Sequence, residues 1–188
     1  MIRRSEAELA FYELKQGIVQ LNKERSIDKN IFSDVIKTIC AMANNGKCNG
    51  VAGKIVIGIG IGIGIGIGIA DKITDAQRVE ELDGVKKHII GNRFVVGVTR
   101  ELAILNITSE AYIRQWSDEI RKSKLSEPLK GQILSSLDYN EFYGKGLFII
   151  TIPEQTDLSD IDGVFYWRDA DNTREADGKK IAQLSKRF

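Results

Sequence analysis

Histidine and cysteine are nearly missing from this chain. It has one His, His88, and two Cys, Cys40 and Cys48. A tetrahedral zinc site wants four sulfur or imidazole ligands, so no zinc is expected. The two Cys form no Cys-x-x-Cys motif. Cys40 falls on an apolar helical face and reads as a buried free thiol, which suits a reducing cytosol. A His-based hydrolase lacks its second His, and His88, beside Lys86 and Lys87, reads as a surface or half-buried residue. Charge of one sign is also lacking. With 27 Lys and Arg against 26 Asp and Glu, no global field gathers nucleic acid or membrane, and any polyanion site must be a local patch. The N-terminal "MIRRSEAELAFYELKQG" has no uninterrupted apolar stretch before a small-residue cleavage site. No signal peptide is expected, and a cytoplasmic location without membrane partners is.

What is present is enough apolar side chain for a core: 43% of 188 residues are hydrophobic and 28% are charged, which predicts one domain over 1–188. "LAFYELK" reads as a strand. Residues 18–29 read as a polar linker. Phe32, Ile36, Ile39, Cys40 and Ala43 recur at helical spacing over 30–44, with Asn30 as a cap. "GKIVIG" opens a strand, residues 76–82 a short helix, and "RFVVGV" another strand. Residues 101–107 are ambiguous between strand and helix. Ser109 caps a helix with Ile113, Trp116 and Ile120 on one face. "YGKG" between two extended runs predicts a hairpin whose second strand, Leu147 to Ile152, is central because no polar residue but Thr interrupts it. "GVFYWR" reads as the last strand, and Asp177 caps a closing helix. The order predicts an α+β fold, a mixed and largely antiparallel sheet flanked by helices.

Between them lies "GKIVIGIGIGIGIGIGIADK", in which Ile and Gly alternate from Ile57 to Ile69. A dinucleotide fingerprint needs Gly at the first, third and sixth positions, and strict alternation defeats it. Lys54 is followed by Ile rather than Ser or Thr, so a Walker loop fails too, and no nucleotide cofactor is expected. The apolar stretch is shorter than the roughly 20 residues of a spanning helix. Alternation of period two suits a strand with Ile on one face and Gly on the other. Duplication of an Ile-Gly unit in even steps keeps inside-outside parity. The run therefore reads as an expanded strand over 57–70.

With the run collapsed, "ELAFYELK", "VIKTICAMANN", "GKIVIGI-AD", "GLFIITIP" and "VFYWRDADNT" resemble, in order, the Schlafen-type AlbA-like domain, also called the divergent AAA or putative DNA-binding domain. That pattern has a Glu-x-x-x-x-Glu-x-Lys opening, a helix ending in Ala-Phe-Ala-Asn, a strand running into an acid, an apolar strand ending in Pro, and a late Tyr-x-Arg before Ser or Thr. The longer "NNGKCNGVAGK" and the Gly-Ile expansion before Asp71 depart from it. The resemblance carries over Glu8, Glu13 and Lys15 from the opening, Asp71 from the strand end, and Tyr166, Arg168 and Thr173 from the late motif. It implies nucleic-acid binding, to DNA or RNA, as in many bacterial relatives. In the Schlafen branch it implies endoribonuclease activity in which the carboxylates of Glu8, Glu13 and Asp71 hold Mg²⁺ or Mn²⁺ beside Lys15.

The residues themselves add a constraint. Glu8 and Glu13 are five apart, which points them to different faces of a regular strand or helix, so one ion reaches both only across a bend. Hard oxygen ligands around a divalent ion suit phosphodiester chemistry, while the bland alternative pairs Glu13 with Lys15 on a surface. Tyr166, Trp167 and Arg168 suit stacking and phosphate contact with a single strand, or else Arg168 pairs with Asp169 or Asp171. Arg121, Lys122, Lys124 and Lys130 form the strongest basic excess, against Glu127, so a docked polyanion would draw on Lys15, Arg121, Lys122, Lys124, Arg168 and Arg174. The rival expectation is a non-catalytic interaction or assembly domain that meets a partner protein or further copies of itself through strand edges.

Overall fold

The structure is a computed structural model that describes residues 12–45, 53–57, 59–60, 73–90 and 93–188. The fold is α+β. In chain order the strands and helices that position the site are β1 (Tyr12–Lys15), α1 (Asn30–Asn44), β2 (Gly53–Ile57), β3 (Ile59–Gly60), α2 (Ile73–Asp83), β4 (His88–Ile90), β5 (Arg93–Val95), α3 (Thr99–Leu105), α4 (Ser109–Lys122), α5 (Leu129–Leu134), β6 (Leu137–Phe142), β7 (Lys145–Ile152), β8 (Tyr166–Asp169), β9 (Asn172–Glu175) and α6 (Gly178–Leu184). Among the described residues no helix is long and apolar enough to cross a membrane.

The main sheet has the order β1-β2-β7-β6. β1 runs parallel to β2, so the chain must cross over between them, and α1 lies in that crossover. β2 with β7 and β7 with β6 are antiparallel. The apolar run of β7 is therefore central, as its composition predicts. Phe148, Ile150 and Ile152 enter the main core with α1 and α4, while Leu147 packs with Leu14 and Val95 in a second cluster. Trp116 on α4 is fully buried. It meets Phe32 edge-on at 4.7 Å and stacks on Phe148 at 5.5 Å, joining both helices to the sheet.

The expected strand at 163–168 does not join this sheet. β8 pairs with β9 as a separate two-stranded ribbon, so "GVFYWR" is not the last strand. Backbone groups of Tyr166 and Arg168 go instead to the side chains of Asn44 and Asn45 at the end of α1. The Gly-Ile run is split between sheets. β2 belongs to the main one, whereas β3 pairs with β5 beside β4. Residues 61–72, with the remainder of the expansion, lie outside the described residues.

The expected polar linker at 18–29 also proves wrong. Ile18 and Val19 are fully buried. Their N–H groups donate to Glu101 of α3 at 3.0 and 2.7 Å, and Tyr112 of α4 donates its hydroxyl to the same carboxylate at 2.9 Å. Arg100 lies 3.3 Å from Glu101 and 2.8 Å from Asp83. Burial raises the Glu101 pKa above the ordinary carboxylate value, with Arg100 and the two N–H donors opposing the shift. Gly17 permits this approach, because a Cβ there would stand 2.0 Å from a Glu101 oxygen.

Two tests follow from this packing. Gly17→Ala should lower stability by about 3 kcal/mol, and Tyr112→Phe by about 1–3 kcal/mol, in urea melts. A Gly17→Ala protein as stable as the parent contradicts the close approach. Cys40 is buried, donates to the Ser159 carbonyl at 3.2 Å, and has its pKa pushed up to about 12, chiefly by burial. Iodoacetamide at about pH 8 should leave Cys40 unmodified in the native protein and label it in denaturant, read by peptide mass mapping.

Candidate functional site

Glu13 is on the edge strand β1, yet it is buried, at 5% exposure. Its carboxylate lies 2.6 Å from Lys15 Nζ and 2.9 Å from Arg168 Nη2. Arg168 is as buried as Glu13, at 4%. Its Nη1 donates to Thr173 Oγ1 at 3.1 Å, and that hydroxyl lies 3.1 Å from Thr38 Oγ1 on α1. The pair joins residues 155 positions apart. A buried guanidinium needs such partners, because removing its charge from water costs several kcal/mol. Glu13 is therefore not a surface partner of Lys15 alone, and Arg168 does not pair with Asp169 or Asp171. Asp169 binds Arg174 instead, at 3.0 Å.

These groups border one cleft of about 390 Å³, between β1, α1 and the β8–β9 ribbon. Its wall combines Glu13, Lys15, Tyr166, Arg168 and Thr173 with Lys37, Thr38 and the ribbon turn. The Tyr166 phenol pKa is raised, first by burial and then by Glu175. One donor, Nε of Arg168, is buried without a protein acceptor. The wall carries Lys15, Lys37 and Arg168 against Glu13, Asp34, Asp171 and Glu175. This is a polar cleft of mixed charge, not an electropositive funnel.

α1 holds the ribbon in place. Asn44 is fully buried and gives Nδ2 to the carbonyls of Ser159 and Tyr166, at 2.7 and 2.9 Å. Its oxygen accepts from Ser159 N at 2.7 Å. Asn45 accepts from Arg168 N at 3.1 Å and donates to Arg168 O at 3.4 Å. The sequence signal for this role is the "ANN" that ends the helix, though spacing alone assigned it none. Thr38 and Lys37 carry no such signal; only the fold places them on the cleft.

The other expected residues go elsewhere. Lys122 and Lys124 border a second cleft, between α1 and α4. Arg121 pairs with Asp118 at 3.1 Å and Lys122 with Glu119 at 2.9 Å, one turn earlier on the same helix. Arg174 borders a third cleft with Trp167, whose ring has Lys180 Nζ 3.3 Å from its centroid. Glu8 and Asp71 lie outside the described residues. Among the described residues, no three His, Cys, Asp or Glu side chains gather to hold a metal ion. Glu13 itself does not suit a divalent ion, since both of its oxygens already face a cation.

No known family model matches the chain, and no curated protein matches it. Among solved structures it is similar to the DIP2311 protein from Corynebacterium diphtheriae, at 12% identity and a TM-score of 0.48, over 93% of this chain and 23% of that one. The chain thus spans about a quarter of the length of that protein, and a likeness of this degree carries no functional argument.

The buried pair makes a sharp prediction. Glu13→Ala should cost about 3–5 kcal/mol, because it strands the Arg168 guanidinium. Lys15→Ala should cost less than about 1 kcal/mol, since Lys15 is partly exposed. Urea melts of both variants decide this; equal, small losses contradict the role of Glu13 as the anchor of Arg168.

Proposed function

We propose that this protein is a nucleic-acid-binding module of the Schlafen AlbA-like kind, working in the cytosol, and that the cleft between β1, α1 and the β8–β9 ribbon takes a short segment of strand. One observation carries the reading. Glu13, Lys15, Tyr166, Arg168 and Thr173, the described residues named by the resemblance, come from both ends of the chain and border one cleft. Chance matches to short motifs have no reason to converge in this way.

In this reading Lys15 and Lys37 meet phosphate oxygens. The hydroxyls of Thr38 and Thr173 add hydrogen bonds, and Tyr166 presents a polar ring edge. Glu13 is a positioning residue that holds Lys15 and Arg168. With a cation against each of its oxygens, Glu13 acts here by position rather than as a metal ligand. The four carboxylates on the wall keep binding at this cleft alone weak, with a salt dependence set by the few phosphate contacts of Lys15 and Lys37.

The test is anisotropy with labelled single-stranded RNA and DNA of about twelve nucleotides, at about 50 and 200 mM salt. Binding should fall with salt. The joint variant Lys15→Ala, Lys37→Ala should weaken it and flatten the slope by about 0.7 per lost phosphate contact. Affinity indifferent to salt and to both lysines sinks the proposal in favour of a protein-interaction domain. Strand cleavage that needs Mn²⁺ and disappears in Asp71→Asn would return Glu13 to the role of a metal ligand.

A further inference from the structure

A second cleft, of about 420 Å³, lies on the other side of the exposed ridge of α1. Phe32, Ile36 and Ile161 give it an apolar floor, and Lys29, Lys37, Lys122 and Lys124 stand around it against Glu119 and Asp162. The balance here is two positive charges, the reverse of the first cleft. Among the described residues no carboxylate forms an ion pair with Lys29, Lys37 or Lys124. Lys122 is held only by the exposed Glu119, and such surface pairs are worth little, so a phosphate can displace the carboxylate. Lys37 borders both clefts. On α1, residues 34 and 38 face one cleft, 32, 33 and 36 the other and 37 both, with Lys29 just ahead of the helix, so the clefts follow neighbouring stripes of one helix.

We propose that the α1–α4 cleft is a second subsite for single-stranded nucleic acid, reached by a strand that passes over Lys37 from the first cleft. An unpaired base covers the floor at Ile36 and Ile161, while Lys29, Lys37 and Lys124 neutralise its flanking phosphates. A duplex hides its bases and has nothing to offer an apolar floor. An alternation of apolar ring and fixed negative charge matches what this cleft presents. This inference rests on the nucleic-acid reading of the first cleft and supplies the electrostatic attraction that the first cleft lacks.

The experiment is an NMR titration of the ¹⁵N-labelled full chain with a single-stranded RNA of about twelve nucleotides. Backbone amides of Lys29, Ser33, Ser123 and Lys124 should shift together with those of Lys15, Thr38 and Thr173. The joint variant Lys29→Ala, Lys124→Ala should weaken binding about tenfold and abolish only the first group of shifts. Shifts confined to Lys15, Thr38 and Thr173 overturn the second subsite and leave the first cleft standing. Shifts confined to Lys29, Ser33, Ser123 and Lys124 support the second cleft as a docking surface and overturn the function assigned to the first. No shift at either cleft overturns both. The same second-cleft shifts with a polyglutamate peptide overturn the assignment to nucleic acid.

Discussion

Everything at the candidate site depends on the side chain of Asn44. It is buried and spends its amide on backbone atoms of Ser159 and Tyr166. A primary amide offers two donors and an acceptor in one plane. That inventory lets one residue at a helix end substitute for the edge of a β-strand. Asn45 repeats the device one residue later, on the backbone of Arg168. The ribbon of β8 and β9 has few apolar residues and one strand partner. A two-stranded ribbon alone is marginal in water, so the amides, together with the burial of Tyr166 in the main core and the Thr38–Thr173 hydrogen bond, dock it on α1. Once docked, Tyr166 and Arg168 have their positions, and Glu13 has its counter-charge.

Two buried carboxylates, Glu101 and Glu13, serve opposite ends. Glu101 gathers backbone N–H groups, a tyrosine hydroxyl and Arg100 around itself, and so folds the segment after β1 against α3 and α4. Glu13 gathers two cationic side chains and faces a cleft. Each network leaves a guanidinium Nε without a protein acceptor, that of Arg100 in the first and that of Arg168 in the second; the second also has Lys15 partly in water.

The sequence made the regular elements readable where one pattern dominated. β7 follows from its apolar run, α1 and α4 from helical spacing, and α6 from its Asp177 cap. It failed where a distant residue set the outcome. Ile18 and Val19 sit among polar neighbours, and their burial depends on Glu101, more than eighty positions away. Residues 101–107 read ambiguously for the same reason, since a carboxylate in a core-facing position breaks the apolar pattern of α3. The basic excess from Arg121 onward is tempered by Asp118 and Glu119, which helical geometry places alongside Arg121 and Lys122. For the site, Thr173 is legible only through the resemblance, whereas Lys15, Tyr166 and Arg168 also read from their own charge and ring chemistry. Thr38 and Lys37 had no signal at all, because a Thr or Lys on a helix becomes informative only when its neighbours in space are known.

The Glu13–Arg168 pair also has a meaning in time. Its partners are separated by 155 positions, and a ribosome adds roughly 5–20 residues each second. For most of synthesis, then, β1 exists with an acid that has no guanidinium to face. Its main-sheet partners β2 and β7 and the helices α1 and α4 are all complete before Arg168 emerges. The cleft is thus assembled after the main sheet and those helices, with α6 still to follow. A nascent chain stalled before β8 would carry the scaffold and the residues of the α1–α4 cleft but not the first cleft, so the order of residues delays only the surface that needs Arg168.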